Sequence, residues 1–313
     1  MSSTGASDES SVRIICGPTG AGKSALAMEL AEQHGAVILS ADSRQIYRGF
    51  DIGTAKPSNA DRARVTHYGV DVADPTERYS AARWAHEARA WIGKANRDGC
   101  PVVIVGGTGF YLRALTEPLF EAPALDPVRR AAVERAFTEV DTEDLRRWCR
   151  NLDPDRAHLG RTQLIRSLEI ALLTGERLSE LHRTRARTPD IRARYLVVDP
   201  GGALAARIEQ RYDAMVAAGW SDEVEALARS VDPDAPAWKA SGYSVMRELT
   251  AGRISPETAR ERVIIETRQY AKRQRTWFRH QLEPELTTRV NPDDAESLGL
   301  ARAWWLAAGG PAQ

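Results

Sequence analysis

Cysteine is scarce in this chain: Cys16, Cys100 and Cys149 are its only three, widely separated and without a CxxC pair. That spacing argues against a disulfide scaffold and a structural zinc site, and fits reduced thiols. No apolar run approaches the roughly 18 residues of a membrane span, and the N-terminus lacks the charged-then-apolar order of a signal peptide. A cytoplasmic protein without a membrane segment is the expectation. Net charge is missing too. The 43 basic and 43 acidic residues cancel, which taken alone argues against a nucleic-acid binder. There is no internal repeat, and no low-complexity tract beyond residues 1–10, which read as a disordered tail.

What is present is enough for a packed core: 313 residues, 42% hydrophobic and 27% charged, one large or two moderate domains. VRIIC (Val12–Cys16) reads as a buried strand, followed by a glycine-rich turn and a helix from about Lys23 to His34 that closes near Gly35. Ala36–Ser40 is a second strand, Ser80 caps a long amphipathic helix, and Pro101–Val105 is a third strand. Alternation of this kind predicts a parallel sheet with crossover helices. From Asp126 to about Thr184 the pattern is helical, with breaks near Asp141, Asp153–Pro154 and Thr174–Gly175. Tyr195–Val198 then resumes the sheet, and a long arginine-studded helix runs from about Pro256 to Gln281. The predicted fold class is α/β, a P-loop NTPase-like parallel sheet core with an all-helical insertion domain. The boundaries read as 11–120 with 195–285 for the core, 121–194 for the insertion and 286–313 for a helical tail.

Charge, although balanced, is not evenly spread. Between Arg183 and Arg194 stand five arginines and one acid, and from Arg260 to Arg279 seven basic residues face two acidic ones. Such runs are either solvated helix faces or contacts for a polyanion.

Gly17-Pro18-Thr19-Gly20-Ala21-Gly22-Lys23-Ser24 satisfies GxxxxGK[ST] between a strand and a helix. Glycines there let successive N–H groups and the helix N-terminus converge on a phosphate. Lys23 adds a point charge, and Ser24 offers a hydroxyl to Mg²⁺, which accepts oxygen ligands shared with phosphates. The motif predicts a di- or triphosphate without saying which. In P-loop NTPases a Mg²⁺-holding acid commonly ends a neighbouring strand, yet here Val102–Val105 runs into Gly106-Gly107-Thr108-Gly109. The acid follows the second strand instead, as Asp42 in DSRQIY (Asp42–Tyr47). It either faces a ligand at the sheet edge or caps the following turn. Gly106–Gly109 is either a tight turn or a place where backbone comes close to a ligand.

Taken together, GPTGAGKS, DSRQIY, DIGTAKP (Asp51–Pro57), GGTGFYL (Gly106–Leu112) and TRQYAKRQRTWFR (Thr267–Arg279) resemble the tRNA dimethylallyltransferase (isopentenylpyrophosphate transferase) family over roughly residues 12–282. Weaker echoes lie at Arg166–Ile170, Arg207–Glu223 and Gly242–Tyr243. The resemblance implies transfer of a dimethylallyl group from dimethylallyl diphosphate to N6 of the adenosine 3′ of the anticodon, in tRNAs reading codons that begin with U. It implies Asp42 as general base and Thr108 as a second catalytic contact. Gly17–Ser24, Arg207 and Arg211 would hold the diphosphate with Mg²⁺ on Ser24. Arg44, Gln45, Ile46, Tyr47, Ser241, Gly242 and Tyr243 would meet a flipped-out adenine and its neighbours, while the insertion would clamp the tRNA anticodon stem-loop and the basic final helix would meet phosphates.

Where the family has NDxQR this chain reads LGRTQ, so only Gln163 and Arg166 carry over from that stretch as tRNA contacts. Gly20-Ala21 stands where Ala-Ser is usual, a change a backbone cradle accepts. No zinc finger follows the basic helix, which implies the bacterial form, expected as a monomer without an obligate protein partner. Three rival readings stand beside this one. A small-molecule P-loop kinase leaves the insertion and TRQYAKRQRTWFR unexplained. An adenylate dimethylallyltransferase would not need the insertion. A non-catalytic RNA-binding module would not need an intact P-loop, Asp42 and Thr108.

Overall fold

Val12–Cys16 (β1) forms the spine of the protein because its β-branched, apolar residues are covered on both faces; Ile14, Ile15 and Cys16 are fully buried. Burial pushes the Cys16 thiol up to about 12, so it is an inert core residue. The computed structural model describes residues 12–117, 123, 125–184 and 191–307. The tail expected at 1–10, and Arg185 and Arg187 of the first arginine cluster, lie outside the described residues.

The other strands are Val37–Ser40 (β2), His67–Tyr68 (β3), Val102–Gly106 (β4), Ala193–Val198 (β5) and Thr287–Val290 (β6). All pair in parallel, in the order β3-β2-β4-β1-β5-β6. The helices of this part are Lys23–His34 (α1), Asn59–Arg64 (α2), Ala81–Arg97 (α3) and Gly109–Thr116 (α4). Two contact-defined units divide the chain: Met1–Thr116 with Asp190–Gln313, and Glu117–Pro189. The second unit holds Pro127–Ala136 (α5), Thr142–Leu152 (α6), Arg161–Thr174 (α7) and Leu178–Thr184 (α8). The first then continues with Leu204–Ala217 (α9), Trp220–Ser230 (α10), Tyr243–Thr250 (α11), Pro256–His280 (α12) and Ser297–Leu306 (α13).

Local signals explain the element ends. Gly35 closes α1 in the left-handed conformation, and the Ser80 hydroxyl accepts from the Arg83 N–H at the start of α3. Asp141 caps α6 through the N–H groups of Glu143 and Asp144, and Gly175 ends α7. The helical unit packs around Leu145, Cys149, Leu164 and Leu168. It also buries Glu169, which Arg130 and Arg166 neutralise at 3.5 and 3.1 Å.

Two boundaries differ from the sequence reading. Sheet structure resumes at Ala193 rather than Tyr195, because Arg194 of the arginine cluster is a strand residue opposite Arg13. Both guanidiniums donate to carbonyls at the C-terminal end of the chain, Arg13 to Trp305 at 3.0 Å and Arg194 to Ala307. The stretch 286–313 is not wholly helical. Thr287–Val290 adds the outermost strand, paired on one edge to β5 and only partly covered, so its polar residues carry little hydrophobic signal. Helix α13 returns over α1, with Trp304 and Trp305 in the same core as Leu30, Val103 and Leu196.

Candidate active site

The glycine-rich turn after β1 is shaped by close packing as much as by its glycines' freedom. A Cβ on Gly17, whose φ is +143°, would stand 2.2 Å from the Val198 carbonyl oxygen. Gly22 opens α1 with φ +95°. Thr19, Gly20, Gly22, Lys23 and Ser24 line a cleft of about 920 Å³, while Ala21 is fully buried beneath it and neither Gly17 nor Pro18 faces the cleft. Lys23 folds back to donate to the Pro18 carbonyl at 2.7 Å. Burial pushes its ammonium down to about 8, against the opposing pull of Asp42 and with a further push from Arg211. A cation held below its ordinary range, at a helix N-terminus, is a site prepared for an anion.

Asp42 lies just past β2. Its Oδ1 accepts from the Arg44 N–H at 2.8 Å, so it does cap the following turn, as one of the two readings required. No other hydrogen bond or ion pair engages its carboxylate among the described residues. The Thr108 hydroxyl holds this turn from the other side, accepting from the Ser43 N–H at 3.1 Å, while the Thr108 N–H donates to the Ala41 carbonyl at 3.2 Å. Thr108 thus braces the strand that presents Asp42 and lines neither cleft of this unit.

The glycines around Thr108 have a different use from either one expected. A Cβ on Gly106 would meet the Ala41 carbonyl oxygen at 2.2 Å, on Gly107 the Gln274 amide at 2.2 Å, and on Gly109 the Trp277 ring at 2.4 Å. They let helix α12 and the β2 turn approach the end of β4. Gln274, 6% exposed, bridges two loops: its Oε1 accepts from the Thr19 N–H and its Nε2 donates to the Gly107 carbonyl, both at 2.8 Å.

The DIGTAKP loop forms the next wall. Gln45 reaches across to it, donating to the Thr54 and Ala55 carbonyls at 3.2 and 3.0 Å while accepting from Ser40 at 2.9 Å. Lys56, with a side chain 2% exposed, donates to Asp51 at 2.6 Å, to Asp71 at 2.5 Å and to the Tyr47 carbonyl. Glu223 of α10 accepts from the N–H groups of Asp51 and Ile52 at 2.9 and 2.6 Å.

A second cleft, of about 540 Å³, opens beside the first and carries Arg44, Trp220, Trp238, Lys239, Ser241, Thr267 and Arg273. The two clefts share Thr19, Asp42, Thr54, Arg211 and Tyr270. Arg211 has no hydrogen-bond or ion-pair partner among the described residues. Burial lowers its pKa and Asp42 opposes that shift. Tyr270 touches Thr108, and burial pushes its hydroxyl up to about 12. Among the described residues no group of three or more His, Cys, Asp or Glu side chains could hold a metal by itself. A divalent cation here would have to share its shell with phosphate oxygens and water, and the exposed Ser24 hydroxyl in the cleft is the protein donor suited to that.

The remaining sequence-predicted residues divide sharply. Arg207 lines the first cleft and pairs with Asp293. Arg44 and Ser241 line the second cleft, and the Gly242 N–H donates to Glu266 at 3.3 Å. Ile46 and Tyr47 are core residues, the Tyr47 hydroxyl donating to the Glu77 carbonyl at 3.1 Å. Tyr243 is fully buried against Phe50, Trp220 and Trp238. None of these three offers a ring or side chain to a ligand as it stands. Gln163 caps its own helix by accepting from the Gly160 N–H at 3.4 Å, and Arg166 is the ion-pair partner of Glu169; both belong to the helical unit.

Residues to which the sequence reading gave no individual role include Tyr270, Gln274, Glu223 and Lys56. Tyr270 and Gln274 stand four apart in TRQYAKRQ and so share a helix face, a spacing that could have singled them out. Glu223 ends the Arg207–Glu223 stretch, but no local pattern marks it as the acceptor for the Asp51 and Ile52 N–H groups.

A family model described as IPP transferase matches residues 45–281, and one described as isopentenyl transferase matches residues 10–71. The chain is 44% identical over 280 residues to the tRNA dimethylallyltransferase of Gloeobacter violaceus, covering 87% of this chain and 90% of that protein. It is 43% identical over 281 residues to the tRNA dimethylallyltransferase of Halorhodospira halophila, covering 87% and 91%. Among solved structures, the tRNA isopentenylpyrophosphate transferase of Bacillus halodurans is similar with a TM-score of 0.65 at 28% identity, over 95% of this chain and 98% of that one. A eukaryotic dimethylallyltransferase described as acting on tRNA gives a TM-score of 0.77 at 25% identity, over 94% and 77%.

Proposed function

This chain belongs to the IPP transferase family, and from that premise we propose that it transfers a dimethylallyl group from dimethylallyl diphosphate to N6 of the adenosine 3′ of the anticodon, in tRNAs reading codons that begin with U. The products are N6-isopentenyladenosine and diphosphate. One observation carries this assignment of roles: Asp42 stands where a cleft built on the phosphate cradle meets a second cleft with aromatic and basic walls. Two reactants that must meet end to end need such a junction, with a base at the meeting point.

The donor's diphosphate lies in the first cleft against the N–H groups of the cradle, Lys23 and Arg211, which stabilise the charge that grows on it as the allylic C–O bond breaks. Magnesium on Ser24 and the diphosphate would supply further charge neutralisation to the leaving group. The flipped adenine enters by the second cleft, past Arg44, Ser241 and Arg273, and its amino group reaches Asp42. As the N6–C bond forms, the amino proton passes to the Asp42 carboxylate, and the electron pair of the broken C–O bond stays on diphosphate. Thr108 and Ser43 keep that carboxylate aimed. The helical unit is the part assigned to the anticodon stem-loop.

The experiment is transfer of radiolabelled dimethylallyl from its diphosphate, with Mg²⁺, into unmodified tRNA whose loop reads A36-A37-A38. AMP and ATP run alongside as acceptors. Label in tRNA alone is the expected result. Label in AMP moves the protein to the free-nucleotide class, and ATP hydrolysis without transfer rules prenyl transfer out.

A further inference from the structure

Gln274 sits in the first cleft but makes both of its hydrogen bonds to backbone. On one side it takes the Thr19 N–H of the phosphate cradle. On the other it gives to Gly107, whose neighbour Thr108 accepts from Ser43, whose neighbour in turn is Asp42. The Thr108 N–H also ties back to Ala41. A single buried amide therefore closes a continuous chain of hydrogen bonds and peptide units from the cradle to the carboxylate. The space is fitted to it: a Cβ on Gly107 would stand 2.2 Å from the Gln274 amide nitrogen. An amide can accept through its oxygen and donate through its nitrogen at the same time. A carboxylate or an ammonium could satisfy only one of the two loops.

We propose that Gln274 is a positioning residue that locks the phosphate cradle to the turn carrying Asp42, so that occupation of the cradle by diphosphate stiffens the base. The proposal deepens the reading of this site as a diphosphate-dependent transferase and rests on it. Gln274 does not line the second cleft, so acceptor binding is outside its reach.

The test uses Gln274→Met, which keeps the bulk and removes both hydrogen bonds, and Gln274→Glu, which keeps the acceptor for Thr19 and loses the donor to Gly107. Transfer to tRNA is measured together with hydrogen exchange of the Ser43 and Arg44 amides, with and without inorganic diphosphate. In the native chain, diphosphate slows exchange at these amides. In either variant that protection disappears while diphosphate still binds, kcat falls by about tenfold or more, and the KM for tRNA stays within about twofold. The second variant carries the test if the first does not fold. Equal protection in variant and native chains, or parallel losses in kcat and tRNA KM that track the folded fraction, would overturn the proposal. A native chain that shows the protection but transfers nothing would leave the coupling standing and refute the transferase reading.

Discussion

Tyr243 donates its hydroxyl to Glu223 at 2.6 Å, and through that carboxylate it is joined to the N–H groups of Asp51 and Ile52. The fully buried ring thereby anchors the loop that contributes lining to both clefts. Replacing Glu223 with Ala leaves two backbone donors and a buried hydroxyl unpaired. The expected cost is about 2–3 kcal/mol of stability, read as a lower urea midpoint at unchanged slope. Glu223→Gln should recover part of it, since an amide oxygen still accepts.

Asp42→Asn removes the proton acceptor while keeping an oxygen for the Arg44 N–H. A fall in kcat of about 10²–10⁴-fold is expected for loss of a general base, with the KM for the prenyl donor changed little. Single-turnover transfer with saturating donor measures it.

Lys23 carries a pH signature. Burial depresses its ammonium from the ordinary 10.5 to about 8, and a bound diphosphate restores the charge. Affinity for inorganic diphosphate should therefore be level in this term below pH 8 and weaken by up to tenfold per pH unit above it. The stability term has the opposite sense. Between pH 8 and 10.5 the unfolded chain binds the proton that the folded chain has lost, so folding gains from this group as pH rises. Isothermal titration across pH 7–10, with Lys23→Met as the reference, separates the two.

Helix α12 bears seven basic residues from Arg260 to Arg279, but Arg260, Arg262, Arg268 and Arg275 already pair with Asp213, Glu248, Glu209 and Asp199. Lys272, Arg273 and Arg279 have no ion-pair partner among the described residues. Removing Lys272 and Arg279 together should flatten the slope of log affinity for tRNA against log salt by about 1.4–1.8, on a scale of roughly 0.7–0.9 per phosphate contact. Arg262→Ala should leave that slope unchanged and lower stability instead.

The difference between these arginines shows where sequence reasoning loses its grip. A run of positive charge looks the same whether its partners are phosphates outside or carboxylates 47 and 59 residues away, as for Arg260 and Arg268. Tyr47 and Tyr243 pose the same problem. Each sits in a motif that suggests a ring offered to a base, yet each is turned into the core. The orientation of a side chain is set by what packs behind it, here Phe50, Trp220 and Trp238 for Tyr243, and none of these is its immediate neighbour in sequence.

Local chemistry was sufficient by itself for the glycine-rich turn between β1 and α1, the parallel alternation of strands and helices, the caps at Gly35 and Ser80, and the breaks between the insertion's helices. Each depends on backbone preferences and periodicity within a few residues. Tertiary structure alone decided that Thr287–Val290 closes the sheet, that the glycines after β4 make room for Gln274 and Trp277, and that Asp42 stands where two clefts meet. Those outcomes rest on contacts between segments far apart in sequence, such as Gln274 and Gly107, which are 167 residues apart. Their hydrogen bonds form only after the chain has collapsed around them, so no local pattern needs to announce them.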